Sequence, residues 1–420
     1  MSKKHILVVG AGLLGAASGY ALAQRGFDVT LVDYADVPAS GASHANGGML
    51  TPSMADPWNA PGVWRDLLRW VGREDAPMLL RLSALPGLSR WGLTFITNSR
   101  HAAYERATRH NVALGLFSLE IMEKWRDMLH PQYAGSCDGT LKIYRDEAAW
   151  YGGIAKAASF AAMGVRYEPW DMATLVRNQP TLAPIAAKLA GAVHFPDDES
   201  GDAAMFVRAL VDGAASNGAR LIFGQRVEKL WLETGRTRGV YLADGSCLGA
   251  DAVVLAGGAG TPLLARSAGV RTAIAPVKGY SLSYAADGLS LPTLPLVDDA
   301  LHAALTPLGG QLRVAGTAEF SGYDAQIVPA RIANLKHLLR QILPEQADAL
   351  EARDPVAWSG FRPMHADGMP IIGASGCPGL YLNSGHGHLG WTQAAGSGEA
   401  LARLIAGEVS EFDLSPFRPR

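Results

Sequence analysis

A glycine-rich turn between two short apolar strands constrains this chain more than any other feature. Ile6-Leu7-Val8-Val9 is rich in β-branched residues, Gly10-Ala11-Gly12-Leu13-Leu14-Gly15 follows without a break, and Val29-Thr30-Leu31-Val32-Asp33 reads as a second strand. Between them Leu14, Ala17, Ala21 and Leu22 share one helical face, and Gly26 is placed to cap the helix C-terminus. The pattern predicts β-α-β with a G-x-G-x-x-G turn. Gly10 permits the tight turn, Gly12 lets backbone approach a pyrophosphate, and Gly15 allows the helix to pack closely on the strand. The helix start offers N–H groups and a positive dipole end to phosphates. Asp33, at the tip of the second strand, is positioned to accept hydrogen bonds from a ribose 2′-hydroxyl and would repel a 2′-phosphate.

The same stretch has a competing reading. Lys3 and Lys4 precede an uncharged run from Ile6 to Ala23 that ends in Ala21-Leu22-Ala23. A basic start, an apolar run and an A-x-A ending are the parts of a secretory signal, and the run approaches the length of a membrane span. Gly10, Gly12, Gly15 and Gly19 weigh against both, because glycine weakens an isolated apolar helix. Their register with the strands and with Asp33 favours a dinucleotide-binding fold in the cytoplasm.

Composition agrees with a large enzyme. With 48% hydrophobic and 18% charged residues, 420 residues can bury a sizeable core and form two domains. A net charge of −2 without a basic run argues against a nucleic-acid partner. Cys137, Cys247 and Cys377 are too scattered for a disulfide framework or a C-x-x-C pair. Residues 56–98 read as loops and short helices, 103–129 as a long helix, 139–144 as a strand, and 148–163 and 204–217 as helices. Strands follow at 220–223, 227–232 and 239–242. Ala252-Val253-Val254-Leu255-Ala256-Gly257 then reads as a buried strand able to rejoin the first sheet.

Near the far end, Leu380-Tyr381-Leu382-Asn383 is a strand, and Gly385-His386-Gly387-His388-Leu389-Gly390 is a second glycine-rich turn leading into a helix through Leu404. A cofactor touched at both turns must be long. FAD fits, with its AMP and pyrophosphate at the first turn and its isoalloxazine near the second; NAD alone would not require the second site. The two histidines lack a third ligand nearby, so no metal is expected.

These segments resemble the D-amino-acid dehydrogenases, within the FAD-dependent amine oxidoreductases that include glycine oxidase and sarcosine oxidase. The resemblance runs nearly end to end. It is carried by the first glycine turn, Ser43-His44-Ala45-Asn46-Gly47-Gly48, Asp56-Pro57-Trp58-Asn59-Ala60-Pro61-Gly62, 196–202, Lys278-Gly279-Tyr280-Ser281-Leu282, Gly360-Phe361-Arg362-Pro363-Met364 and 383–392. It implies an α/β fold in which a Rossmann-like FAD-binding domain (1–55, 195–270 and 355–420) is interleaved with an α+β substrate-binding domain (56–194 and 271–354).

The resemblance also implies roles. Ser43, Asn46, Gly47 and Gly48 would line the ribityl–pyrophosphate region, Val227 would meet the adenine, and Gly257 would end the returning strand beside the cofactor. Gly387, His388, Leu389, Gly390 and Thr392 would present main-chain N–H groups to the N1–C2=O edge of the isoalloxazine. Arg362 would grip the substrate carboxylate with its planar fork, with Tyr280 and His302 in the same pocket. A neutral amine would lose its Cα–H to flavin N5 as hydride, and the imine would hydrolyse to a 2-oxo acid and ammonia. Some relatives attach flavin covalently through a histidine in a similar early loop; His44 is out of that register by one, so FAD is expected to be non-covalent.

Dehydrogenases of this type deliver electrons to a quinone and sit on the cytoplasmic face of the inner membrane. Residues 63–73, short, aromatic and basic, could form an interfacial helix or a loop packed on the substrate domain. Three functions stay open: a D-amino-acid dehydrogenase, an oxidase or dehydrogenase of glycine, sarcosine or D-proline-like imino acids, and the flavin subunit of a larger complex. The preference for D over L rests on the resemblance alone.

Overall fold

The computed structural model describes residues 3–74 and 76–420. Met1 and Ser2, at the head of the stretch that mimics an export signal, lie outside the described residues. Strand His5–Val9 and helix Leu13–Gln24 form where the glycine turn requires them. The strand lies inside a six-stranded sheet of order Ile371–Ala374, Leu380–Ser384, Ala252–Leu255, His5–Val9, Asp28–Val32, Arg220–Ile222. Neighbours run parallel except the edge strand Ile371–Ala374.

Both faces of this sheet are covered, which is why its strands are continuously apolar. Ile6 and Val8 point to a core shared with helices Leu13–Gln24, His101–Leu129, Ala203–Ser216 and Gly390–Ala406. Leu7 and Val9, one residue out of phase, pack against the antiparallel sheet of Val227–Glu233, Arg236–Leu242 and Cys247–Gly249. The uncharged run is therefore interior: Leu13 and every residue from Gly15 to Ala23 are buried. Its small residues admit helix Gly390–Ala406 so closely that a Cβ on Gly398 would stand 2.6 Å from the carbonyl carbon of Ala17.

A second sheet takes the intervening chain. Its order is Val356–His365, Ile274–Ala285, Gln311–Phe320, Ala303–Leu308, Leu296–Asp298, Thr140–Tyr144, Gly191–Phe195, Glu168–Trp170, with Met78–Leu80 paired alongside Gln311–Phe320. Helix Pro329–Ile342 closes one face through Leu335, Leu339 and Ile342; the other face walls a cavity. Sequence placed all of 355–420 with the cofactor-binding segments. Strand Val356–His365 instead pairs along its whole length with Ile274–Ala285 and belongs to the large sheet. Ile274 to Leu282 are all buried, so no polar–apolar alternation marks that partner strand. Residues 56–98 fold as helices Val63–Trp70 and Leu85–Thr97 with strand Met78–Leu80 between them. Among the described residues no helix is long and apolar enough to cross a membrane.

Candidate active site

The two sheets enclose a cavity of about 1360 Å³. Pockets for one small molecule usually measure roughly 300–1,000 Å³, so this volume has room for a long cofactor and a second ligand. One end is made by the first glycine turn. Gly10, Gly12, Leu13, Leu14, Asp33, Ser43, Asn46, Gly47, Gly48, Val227 and Gly257 all face it. Ala11 and Gly15 do not line the cavity; they build the turn that does. Gly10 has φ +106° and a Cβ there would lie 2.6 Å from Ala256 O, while a Cβ on Gly15 would lie 1.7 Å from Gly10 O. The Ala11 N–H donates to Asp33 Oδ2 at 2.6 Å and the Ala35 N–H to Oδ1 at 2.9 Å. Asp33 therefore braces the turn while facing the space a ribose would fill. Ser43 Oγ accepts the Leu13 N–H at 3.0 Å, and Asn46 Oδ1 accepts the Gly48 N–H at 3.0 Å.

The other end is made by the second turn. Gly387, His388 and Gly390 line it, whereas Leu389 and Thr392 do not. The turn Gly387–Leu389 is wound as a 3₁₀ helix, so successive residues point about 120° apart and one of them faces inward. Leu389 is that residue: it is buried in the core and its N–H donates to His386 O at 3.0 Å. It cannot present that N–H to a cofactor as the sequence suggested. The Thr392 hydroxyl accepts the Thr51 N–H at 2.9 Å, tying the helix to the 51–54 turn instead. Gly387 has φ +58°, and a Cβ would come 2.6 Å from Met364 Sδ. His386 is buried, with Nε2 on Ser397 Oγ at 2.8 Å, and burial pushes its imidazole down to about 3.

Arg362 projects from strand Val356–His365 into this end. Gly279, on the adjacent strand, makes room for it: a Cβ there would lie 2.3 Å from Arg362 Nη1. Trp58 lies against the guanidinium at 5.4 Å and stacks on His388 at 5.3 Å and 22°. Nη1 is buried without a hydrogen-bond partner among the described residues. Burial without an opposing carboxylate lowers the guanidinium to about 10. A buried cation of this kind is costly unless a ligand anion pairs with it. Burial likewise pushes His388 down to about 4, with Asp56 opposing the fall and Arg362 adding to it.

Two expected partners of Arg362 are placed differently. Tyr280 is two strand positions from Lys278 and one from Gly279, so its ring points to the opposite face of the sheet from Arg362. There its ring is buried in the core under helix Pro329–Ile342 and its hydroxyl donates to Glu319, while the residue also borders the cavity. Burial and Glu319 both push its phenol up. His302 occupies the tight turn between two strands, with φ +50°, and is exposed at the cavity margin. His44 is exposed, lies 6.4 Å from the Trp358 ring and does not line the cavity.

Sequence assigned no role to Asp56, Trp58, Lys142, Tyr144 or Lys156, all of which line the cavity. The Asp56-Pro57-Trp58 loop was visible as a motif; the lysines lie on ordinary elements and carried no signal. Among the described residues no group of three or more His, Cys, Asp or Glu side chains could hold a metal ion.

A glycine turn at each end and the continuous space between them fit an FAD. Comparison with known proteins gives the same class. The model of the FAD dependent oxidoreductase family (DAO) matches residues 5–404, and the chain belongs to that family. It is 36% identical over 404 residues to a D-amino acid dehydrogenase of Rhizorhabdus wittichii, covering 96% of each chain. Among solved structures it resembles glycine oxidase from Geobacillus kaustophilus, with a TM-score of 0.77, 22% identity and coverage of 100% of this chain and 99% of that one. L-proline dehydrogenase from P. horikoshii has a TM-score of 0.75 at 18% identity, covering 100% of this chain and 97% of that one. At such identities these two likenesses concern the fold.

Proposed function

We propose that this FAD-dependent enzyme oxidises D-amino acids to imines that hydrolyse to 2-oxo acids and ammonia, and passes the electrons to a quinone-type acceptor. The observation that carries the reading is Arg362, a buried guanidinium with a partnerless Nη1 facing a cavity. Its fork would bind the substrate carboxylate in two parallel hydrogen bonds. Trp58, its ring centre 5.4 Å from the guanidinium carbon, would wall one side of the space for that carboxylate. His388, held neutral at neutral pH, adds no positive charge that would oppose Arg362. Bound FAD supplies the hydride acceptor, N5 of its ring. Gly10, Gly12, Asp33, Ser43 and Val227 would hold its adenylate half, and Gly387 and Gly390 its ring. The amine would react as its free base, and the D preference follows the names of the relatives.

The same reading divides the labour between the sheets. Residues of the six-stranded sheet would hold a non-covalent FAD, and those of the large sheet would recognise substrate, with the last crossing near His365 rather than at 355. A quinone-type acceptor suits the cavity wall formed by Val63, Trp70 and Met78. The same stretch exposes Trp64, Leu82, Leu85, Leu93 and Ile96, a surface suited to peripheral contact with the cytoplasmic face of a membrane.

Anaerobic mixing with amino acids tests the reaction. D-alanine should bleach the bound flavin and L-alanine should not. Bleaching by glycine or sarcosine alone would move the assignment to those substrates, and failure of every amino acid would remove it.

A further inference from the structure

Two ion pairs line the cavity alongside the apolar Ala157, Phe160 and Phe195. Lys156 Nζ lies 2.7 Å from Asp56 Oδ2, and Lys142 Nζ lies 2.6 Å from Asp299 Oδ1. All four line the cavity. Tyr104 also donates to Asp56 Oδ2, at 3.0 Å, so among the described residues Oδ1 takes no protein hydrogen bond. Each ammonium has three donors and uses one on its carboxylate. Trp58, two residues along the loop from Asp56, lies 5.4 Å from the Arg362 guanidinium and stacks on His388 at 5.3 Å. An amino acid with its carboxylate on Arg362 would share the cavity with the Asp56–Lys156 pair, on the loop that carries Trp58.

We propose that these two lysine–aspartate pairs form the side-chain wall of the substrate chamber and select amino acids with hydrogen-bonding side chains over isosteric hydrocarbons. The inference rests on the amino-acid reading given above and names its substrate class. The physical reason lies in the free donors and acceptors. A carboxamide or hydroxyl can replace the water on them, whereas a branched hydrocarbon strips that water and returns nothing. A chamber of paired charges needs no net charge on the ligand, because it presents donors and acceptors side by side.

The isosteric pair D-asparagine and D-leucine gives the test. The holoenzyme should show kcat/KM for D-asparagine about 10- to 100-fold above that for D-leucine. Calorimetry should show the non-reacting isosteres in the same order, succinamate binding more tightly than 4-methylpentanoate. Replacing Asp56→Ala together with Lys156→Met should collapse or invert both ratios. Lys142→Met with Asp299→Asn, on a different pair, should move them in the same direction if the first variant folds poorly. Equal or greater preference for D-leucine in the parent enzyme overturns the inference and leaves the amino-acid reading intact. An equal rise in KM for all substrates with an unchanged ratio would make Asp56 an anchor for the α-amino group and also overturn it. If no amino acid reduces the flavin and neither acid binds, both readings fall together.

Discussion

The two ends of the cavity are built on opposite principles. At the first glycine turn the protein removes side chains at Gly10, Gly12 and Gly15, so that backbone closes on backbone, and Asp33 and Ser43 hold the turn by hydrogen bonds. At the substrate end it crowds Arg362, Asp56, Lys156, Lys142 and two aromatic-stacked groups into one chamber. The first end suits a large ligand bound through its phosphates and ribose, which many enzymes share. The second end would distinguish one substrate from another, because a charged group that meets no ligand group loses solvation to the ligand.

The largest expected effect separates architecture from recognition. Gly15→Val would force a side chain to within 1.7 Å of the Gly10 carbonyl oxygen. No rotamer relieves that contact, so the loss should exceed about 4 kcal/mol, in the range reserved for gross packing faults. The variant should emerge without flavin absorbance and with a collapsed melting transition. Retention of yellow colour would mean that the turn is softer than its geometry.

A smaller loss should follow at the other end. Arg362→Ala should lower kcat/KM for amino acids by roughly 10³-fold, about 4 kcal/mol of lost transition-state binding, while the flavin stays bound. Arg362→Lys should recover only part, since a point charge lacks the planar fork. If the alanine variant also lost its flavin, the two ends could not be treated as separate sites.

Counted per pH unit, the smallest effect is in the pH dependence of stability. Burial holds His386 near 3 and His388 near 4, against 6.5 for an unburied imidazole. As pH falls from 6.5 toward 4 the unfolded chain takes up protons on these histidines and the folded chain does not, so folding weakens with acidification. The slope is about 1.4 kcal/mol per pH unit for each histidine. Urea denaturation of the apoprotein across that window should show it, and His386→Gln should make it shallower. An unchanged slope in the variant would mean that His386 is protonated in the folded protein.

Legibility in the sequence followed the distance over which each feature is encoded. Residues 6–33 hold strand, turn, helix, strand and acid within one β-α-β unit, and all are where their spacing required. The return strand Ala252–Leu255 was likewise readable, because a strand buried on both faces is continuously apolar wherever it comes from. The large sheet was not. Ile274–Ala285 and Val356–His365 are adjacent in space and far apart in sequence, and burial of almost every residue in the first erased its period.

The same distinction explains the misplaced residues. Tyr280 and Arg362 both come from recognisable motifs, yet strand alternation turns one to the core and the other to the cavity. Leu389 and Gly390 are neighbours in one glycine turn, and its tight winding buries the first. Sequence by itself determined that the chain makes a dinucleotide turn and a second glycine turn for one long cofactor, because those features are local and depend on missing side chains. Only the tertiary structure decided which charged groups meet around the cavity. Lys142 and Arg362 come from two strands, Lys156 from a helix, Asp56 and Asp299 from loops, and nothing in a linear chain records that these elements will meet.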